Sequence, residues 1–235
     1  MTRSSAGVAR ITGISSMAMR QVLAELARDY EIRAGGSVAV EAVGGIDAAR
    51  RVASGEAFDF VVLAADAIDR LTVSGRVAAG SRTDLARSEV AMAIVAGAAR
   101  PCIGDESAVR DAVMRARAVG YSTGPSGDHI VRLLERWGLI AGVAPRLVQA
   151  SPGLPISTLL ARGEVDIGFQ QLSELIGVPG VDVVGPLPTP IQQSTIFSAA
   201  LCMSSRQVAA VQALLAFLAS PQTDETKRRH GMEPA

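Results

Sequence analysis

The stretch that most restricts the fold is Phe58-Asp-Phe-Val-Val-Leu-Ala-Ala65, an apolar run interrupted only by Asp59. Such a run has no polar face to turn toward water. It predicts a strand covered on both sides, as in the middle of a parallel sheet. The segments around it agree. Residues 9–14 and 38–43 read as short strands, followed by helical patterns over 17–30 and 47–54, and residues 67–73 read as a further helix. Val22, Leu23, Leu26 and Tyr30 supply the apolar spacing of the first helix. Strand followed by helix three times over predicts parallel βαβ units, because a parallel strand needs a crossover to return the chain.

The pattern shifts after Gly80. Residues 89–96 read as an apolar strand that need not join the same sheet, and a second alternating set runs from about 104 to 188. It holds a helix at 108–116, a strand at 118–122, a helix starting near Ser126 and a strand at 147–150. A helix at 156–162, a strand at 165–169 closed by Gln170 and Gln171, a helical turn at 173–176 and a strand at 181–184 complete it. Residues 195–203 form another strand. Two helices follow, the first over 206–219 and the second after Pro221. The economical expectation is two α/β lobes, 1–86 plus 198–235 and 87–197, with chain crossings near 86–97 and 194–203. The 235 residues suffice for two lobes of about 100 each.

Composition removes several functions. Basic and acidic residues balance at 23 each, and aromatics make up only 3%, which disfavours nucleic-acid binding and attraction to an anionic membrane. Lys227 is the only lysine and sits in a polar C-terminal run, so Schiff-base chemistry is not expected. Cys102 and Cys202 lack metal-ligand or redox spacing and read as buried free thiols, with a disulfide between them left open. No metal and no cofactor is expected. Met1–Arg10 holds no apolar signal core, and no run has the length of a membrane span. The expectation is a cytoplasmic chain as it stands, or a periplasmic one if an export signal has been removed.

The turns after the strands carry the functional signal. Tyr121-Ser-Thr-Gly-Pro-Ser-Gly-Asp-His129 takes a strand into a helix through small residues, which leaves backbone N–H groups open at the positive end of the helix. Similar turns occur at Ser15-Ser16, Gly44-Gly45, Gly153-Leu154 and Gln170-Gln171. Each serine of the first turn either caps the following helix or faces a ligand, and Arg20 one turn on can reach the same space. Asp47 is expected to cap its helix. A cleft between two α/β lobes, walled by strand ends, is a usual ligand position. The candidate ligand-binding residues are therefore Ser15, Ser16, Arg20, Gly44, Gly45, Ser126, Gly127, Gly153, Gln170 and Gln171. Donors without acids favour a small anion.

These residues carry a family resemblance. Ser15-Ser16, Ala49-Arg-Arg-Val-Ala-Ser-Gly55 before Phe58, Pro125-Ser-Gly127 and Ser220-Pro-Gln resemble the type II periplasmic binding proteins of the molybdate-binding kind. Asp84-Leu-Ala-Arg-Ser88, Ala161-Arg-Gly-Glu164, Ile167-Gly-Phe-Gln-Gln-Leu-Ser-Glu-Leu175 and Met232-Glu-Pro-Ala235 are similar to the branch that includes aconitate isomerase. The resemblance implies a two-lobed fold with two hinge crossings and a ligand cleft. It also implies the membrane component of an ABC transporter as a partner. Molybdate-binding relatives use a serine in each of two first-lobe turns and a tyrosine on a second-lobe strand. Here those places hold Ala18 (with Ser15 or Ser16 as substitute), Gly44-Gly45 and Gln171. Losing such contacts removes about 1 kcal/mol each, so a di- or tricarboxylate is favoured over a metal oxyanion. The alternative implied is an isomerase shifting a double bond in an unsaturated tricarboxylate, with His129, Ser16 and Tyr121 as candidate catalytic groups.

Overall fold

The computed structural model describes residues 10–235, and they form two compact units. The first holds the chain up to Ala86 with Phe197–Arg229 and Pro234–Ala235. The second holds Arg87–Ile196 and His230–Glu233. Ala9 and the N-terminal segment considered for a signal core lie outside the described residues, apart from Arg10.

In chain order the first unit opens with β1 (Arg10–Ser16), α1 (Arg20–Ala34), β2 (Ser37–Val43), α2 (Gly45–Ala53), β3 (Phe60–Ala64) and α3 (Ala65–Val73). β4 (Thr83–Val95) leads into the second unit. There follow α4 (Glu106–Arg115), β5 (Val119–Tyr121), α5 (Pro125–Arg136), α6 (Ile140–Val143) and β6 (Leu147–Gln149). Then come α7 (Ile156–Ala161), β7 (Ile167–Gln171) and β8 (Val181–Pro186). β9 (Ser194–Leu201) brings the chain back, and α8 (Val208–Leu218) and α9 (Asp224–Arg229) follow.

In the first unit β1 is flanked in parallel by β2 and β3, and β9 runs antiparallel along β3 from Phe197 to Leu201. The apolar run that anchored the sequence reading is β3, with Phe60, Val61, Val62 and Leu63 fully buried. Val61 and Leu63 pack with Ile14, Val52, Ile68 and Leu71 on the α2–α3 side. Asp59, the one break in that run, is a clamp. Its Oδ2 accepts from the Thr12 N–H (2.8 Å) and hydroxyl (3.0 Å), and its Oδ1 accepts from the Ser205 hydroxyl (2.7 Å). A buried carboxylate is tolerable only when its lone pairs are taken up in this way.

The second unit is a mixed sheet. β5 pairs in parallel with β6 and β7, while β4 runs antiparallel to both β7 and β8. One apolar cluster gathers Met92, Val109, Leu134 and Phe169 on one face, and another gathers Ala91, Ile156, Leu160 and Leu175 on the other.

Several expectations change. β4 starts at Thr83 rather than Glu89, because buried Ala86, Ser88 and Val90 alternate with exposed Arg87 and Glu89, the pattern of a half-covered strand. β7 runs from Ile167 rather than 165, and Gln170 and Gln171 end it as its last two paired residues. Asp47 does not cap α2; Gly44 occupies the cap position and Asp47 pairs with Arg50. Cys102 is exposed and Cys202 buried, both as free thiols, and burial pushes the Cys202 thiol up to about 12. Lys227 is 2% exposed, beside Asp224 at 3.6 Å, because α9 packs on α1 and draws its polar stretch inward. Among the described residues no helix is long and apolar enough to cross a membrane.

Candidate functional site

The first unit brings three strand ends together. β1, β2 and β3 are adjacent and parallel, with Ser16 level with Val43 and Ser15 level with Val62. Each strand turns into a helical segment through one extended residue: Ser16 (ψ 156°), Gly44 (ψ 135°) and Ala64 (ψ 141°). None of the three supplies a capping side-chain bond. The leading N–H groups of a helix have no acceptor within it, so these ends offer backbone donors and a partial positive charge.

Strand alternation separates the two serines. Ser15 is fully buried, and its hydroxyl donates to the Ser16 carbonyl at 3.3 Å, so it is spent on the backbone. Ser16 is 7% exposed and its hydroxyl has no hydrogen-bond partner. A Cβ built on Gly45 would stand 3.6 Å from the Ser16 Cβ, so Ser16 and the start of α2 adjoin. Gly44 and Gly45 are not required by backbone conformation, since neither has positive φ. What the missing side chains give is open backbone. Arg20 belongs elsewhere: it lines a cavity of about 170 Å³ between α1 and β2 with Arg28, Glu31, Val38, Val40 and Ala42.

The second unit builds its strand ends differently. After β5 the chain turns at Gly124 (φ 83°), where Pro125 opens α5, and the Ser122 and Ser126 hydroxyls bond each other at 2.8 Å. A Cβ on Gly127 would fall 1.7 Å from the Ser122 carbonyl oxygen, so glycine is obligatory there. Ser126 and Gly127 are both buried. Gly153 (φ 81°) lies in the turn closed by Leu154 N–H on the Ser151 carbonyl, with open space where a side chain would be. Gln170 and Gln171 are both 3% exposed but point to opposite faces of β7. The Gln170 amide is committed at both ends: Oε1 accepts from Ile156 N–H (2.8 Å) and Nε2 donates to Glu174 (2.6 Å). The Gln171 amide donates to the Thr195 hydroxyl (2.9 Å), and its Oε1 has no partner.

Of the three candidate catalytic groups, Ser16 has the unpartnered hydroxyl and His129 is engaged. His129 Nε2–H donates to the Ile191 carbonyl at 2.7 Å, and burial, helped by Arg132 and Arg136, holds its pKa below the usual imidazole range. Tyr121 packs against the cluster of Leu134 and Phe169. Among the described residues no group of three or more acidic, histidine or cysteine side chains is placed to hold a metal.

Two buried side-chain atoms in the described residues lack a partner, Ser16 Oγ and Gln171 Oε1. Both had been singled out as ligand contacts by the sequence. Two others had not: Thr195, which holds Gln171, and Glu174, which holds Gln170. Thr195 starts an unremarkable strand and offers no signal; Glu174 lies three residues beyond Gln171 and passes for a surface acid.

The profile described as bacterial extracellular solute-binding protein matches residues 11–233. The chain belongs to that family. This solute-binding protein is 35% identical over 233 residues to an aconitate isomerase from Pseudomonas sp, covering 97% of this chain and 88% of that one. It is 26% identical over 191 residues to the molybdate-binding protein ModA of Azotobacter vinelandii, covering 77% and 73%. Among solved structures, the Azotobacter vinelandii periplasmic molybdate-binding protein matches at TM-score 0.81 and 18% identity over 94% of this chain and 98% of that one. A periplasmic thiamin binding protein matches at TM-score 0.77 and 14% identity over 100% and 86%. At such identities the likeness establishes the α/β periplasmic-binding-protein fold and not the ligand.

Proposed function

We propose that this solute-binding protein takes a small organic anion, a di- or tricarboxylate, and that turns at its strand ends contribute donors to it. The observation that carries the proposal is the pair of unpartnered buried atoms, Ser16 Oγ and Gln171 Oε1. Leaving a buried hydroxyl or amide oxygen unpaired costs about 1–3 kcal/mol each, an expense a ligand would relieve. The Thr195 hydroxyl can donate as well as accept, so the Gln171 amide can turn and offer N–H to an anion while keeping that bond. In the first unit the proposed contacts are Ser16 and the α2 start at Gly44-Gly45; in the second they are the α5 start at Ser126-Gly127, the Gly153 turn and Gln171. They are donors without a carboxylate, which suits an anion. Gln170 is removed from the set because its amide is already committed, and Arg20 because it lines the α1–β2 cavity.

Titration calorimetry against citrate, cis- and trans-aconitate, molybdate, tungstate and sulfate tests the proposal. Heat with a carboxylate and none with the oxyanions is expected; heat with none of them counts against it. The membrane component of an ABC transporter is the partner that the family resemblance suggests.

One observation supports a second function, double-bond migration in an unsaturated tricarboxylate: the 35% identity to an aconitate isomerase. That chemistry needs a proton carrier, and His129 is tied to a carbonyl, which favours binding. Interconversion of the aconitates followed by proton NMR would distinguish the two, since a binding protein leaves trans-aconitate unchanged.

A further inference from the structure

β2 pairs with β1 and, among the described residues, with no other strand, so one row of its backbone groups faces outward. The Val38 N–H marks that row, for it donates to Glu31 Oε1 on α1 at 2.7 Å. Alternation puts the backbone groups of Val40 and Ala42 on the same side. Val38, Val40 and Ala42 are also the β2 residues that line the cavity of about 170 Å³ beside α1. Glu31 covers one of the three outward N–H groups and leaves the other two for a strand to take.

α1 lies beside that edge with one flank closed and one open. On the closed flank Tyr30 packs on Phe217 of α8, Arg33 donates to Gln222 and Glu25 pairs with Arg229. On the open flank Arg20, Ala24, Ala27 and Glu31 recur at helical spacing along the cavity, with exposed Arg28 on their solvent side. The alanines leave room for a second backbone, and opposite charges stand at the two ends. Reversed, the stripe matches itself: Arg20 meets Glu31, and Ala24 meets Ala27. The strand reverses in the same way about Val40, with Val38 opposite Ala42 in hydrogen-bonded pairs. The two centres coincide. β1 and β2 are parallel, so α1 runs back against them from Val38, where Glu31 is anchored. The middle of the stripe is then about 8 Å along the helix and Val40 about 7 Å along the strand.

We propose that the β2 edge and the open flank of α1 form an interaction surface whose occupant is a second copy of this chain, related by a two-fold axis at Val40. The two β2 strands pair antiparallel, and the two α1 helices lie side by side through Ala24 and Ala27. The Val38 N–H passes from Glu31 to the Ala42 carbonyl of the second copy. The released Glu31 carboxylate takes Arg20 of the second copy, so the pairing leaves neither group without a partner. A self-complementary contact of this kind closes at two copies and removes the free edge, which a head-to-tail contact would not do.

Sedimentation velocity on the full chain without ligand, from about 1 μM to about 1 mM, should show a concentration-dependent rise from one chain to two. Over the same range, hydrogen exchange read by mass spectrometry should slow in the peptide spanning Ser37–Val43. Arg20→Glu sets like charges against each other at both ends of the helix pair and should weaken association by about ten-fold or more. Adding Glu31→Arg restores opposite charges and should bring the affinity back to within about three-fold of the wild type. A chain that stays single at every concentration overturns the proposal. So does a dimer in which β2 exchanges no more slowly than in the monomer, or a folded double variant that associates no better than Arg20→Glu. The exchange measurement uses the wild type alone, so it decides the matter even where a substituted chain does not fold.

Discussion

The two units end their strands in contrasting ways. In the first, β1, β2 and β3 pass into helical segments through Ser16, Gly44 and Ala64 with no side chain closing over the backbone. In the second, the corresponding ends are braced by side chains: Ser122 to Ser126, Gln171 to Thr195, and Gln170 to both Ile156 and Glu174. Open ends leave donors for a ligand at little risk to the fold. Braced ends hold their donors in place, but a change there strikes stability and binding together. Substitutions should therefore separate the units by which quantity they move.

The sharpest contrast is between two glycines. Gly127→Ala forces a Cβ against the Ser122 carbonyl, a backbone group that cannot give way, and should destabilise by about 3 kcal/mol or more in chemical denaturation. Gly45→Ala meets only the Ser16 Cβ at ordinary contact distance and should change stability by less than about 1 kcal/mol, while weakening the anion. A mild Gly127→Ala would break the comparison. Next in size, Ser126→Ala leaves the buried Ser122 hydroxyl without its partner and should cost about 1–2 kcal/mol of stability in the same assay.

Ser16→Ala should act in the opposite sense. Removing an unpartnered buried hydroxyl should leave stability unchanged or raise it by about 1 kcal/mol, read as a higher thermal midpoint. Lys227 gives the smallest effect and tests burial without a site. Burial lowers its pKa, so carrying the charge costs more in the native state than in the unfolded chain. The resulting penalty is present at neutral pH and is relieved as pH rises through the lowered value toward the usual lysine range. Lys227→Met should stabilise by about 1 kcal/mol at pH 7, and the gain should shrink in alkaline buffer.

What the sequence disclosed, and what it hid, follows from range. The β3 run and the helical spacing of Val22, Leu23 and Leu26 depend on neighbours a few residues away, and the strands and helices they predict are present. Ser15 and Ser16, like Gln170 and Gln171, are equivalent in sequence. Only pairing register decides which of each couple keeps an unpartnered atom and which is used by the backbone or by Glu174. Lys227 lies in a stretch reading Asp-Glu-Thr-Lys-Arg-Arg, so its burial is set by where α9 docks and not by local composition. Glu174 is hidden in the sequence for the same reason, since its surroundings come from α7 and β7 and not from its own turn.

The central claim is that Ser16, on an open strand end, meets a carboxylate ligand. Calorimetric titration of trans-aconitate into wild type and Ser16→Ala at pH 8 tests it directly. One-to-one binding by the wild type, weakened about ten-fold in a Ser16→Ala variant of undiminished thermal stability, is the predicted result. Equal affinity in the two proteins, or no heat in the wild type, would contradict it.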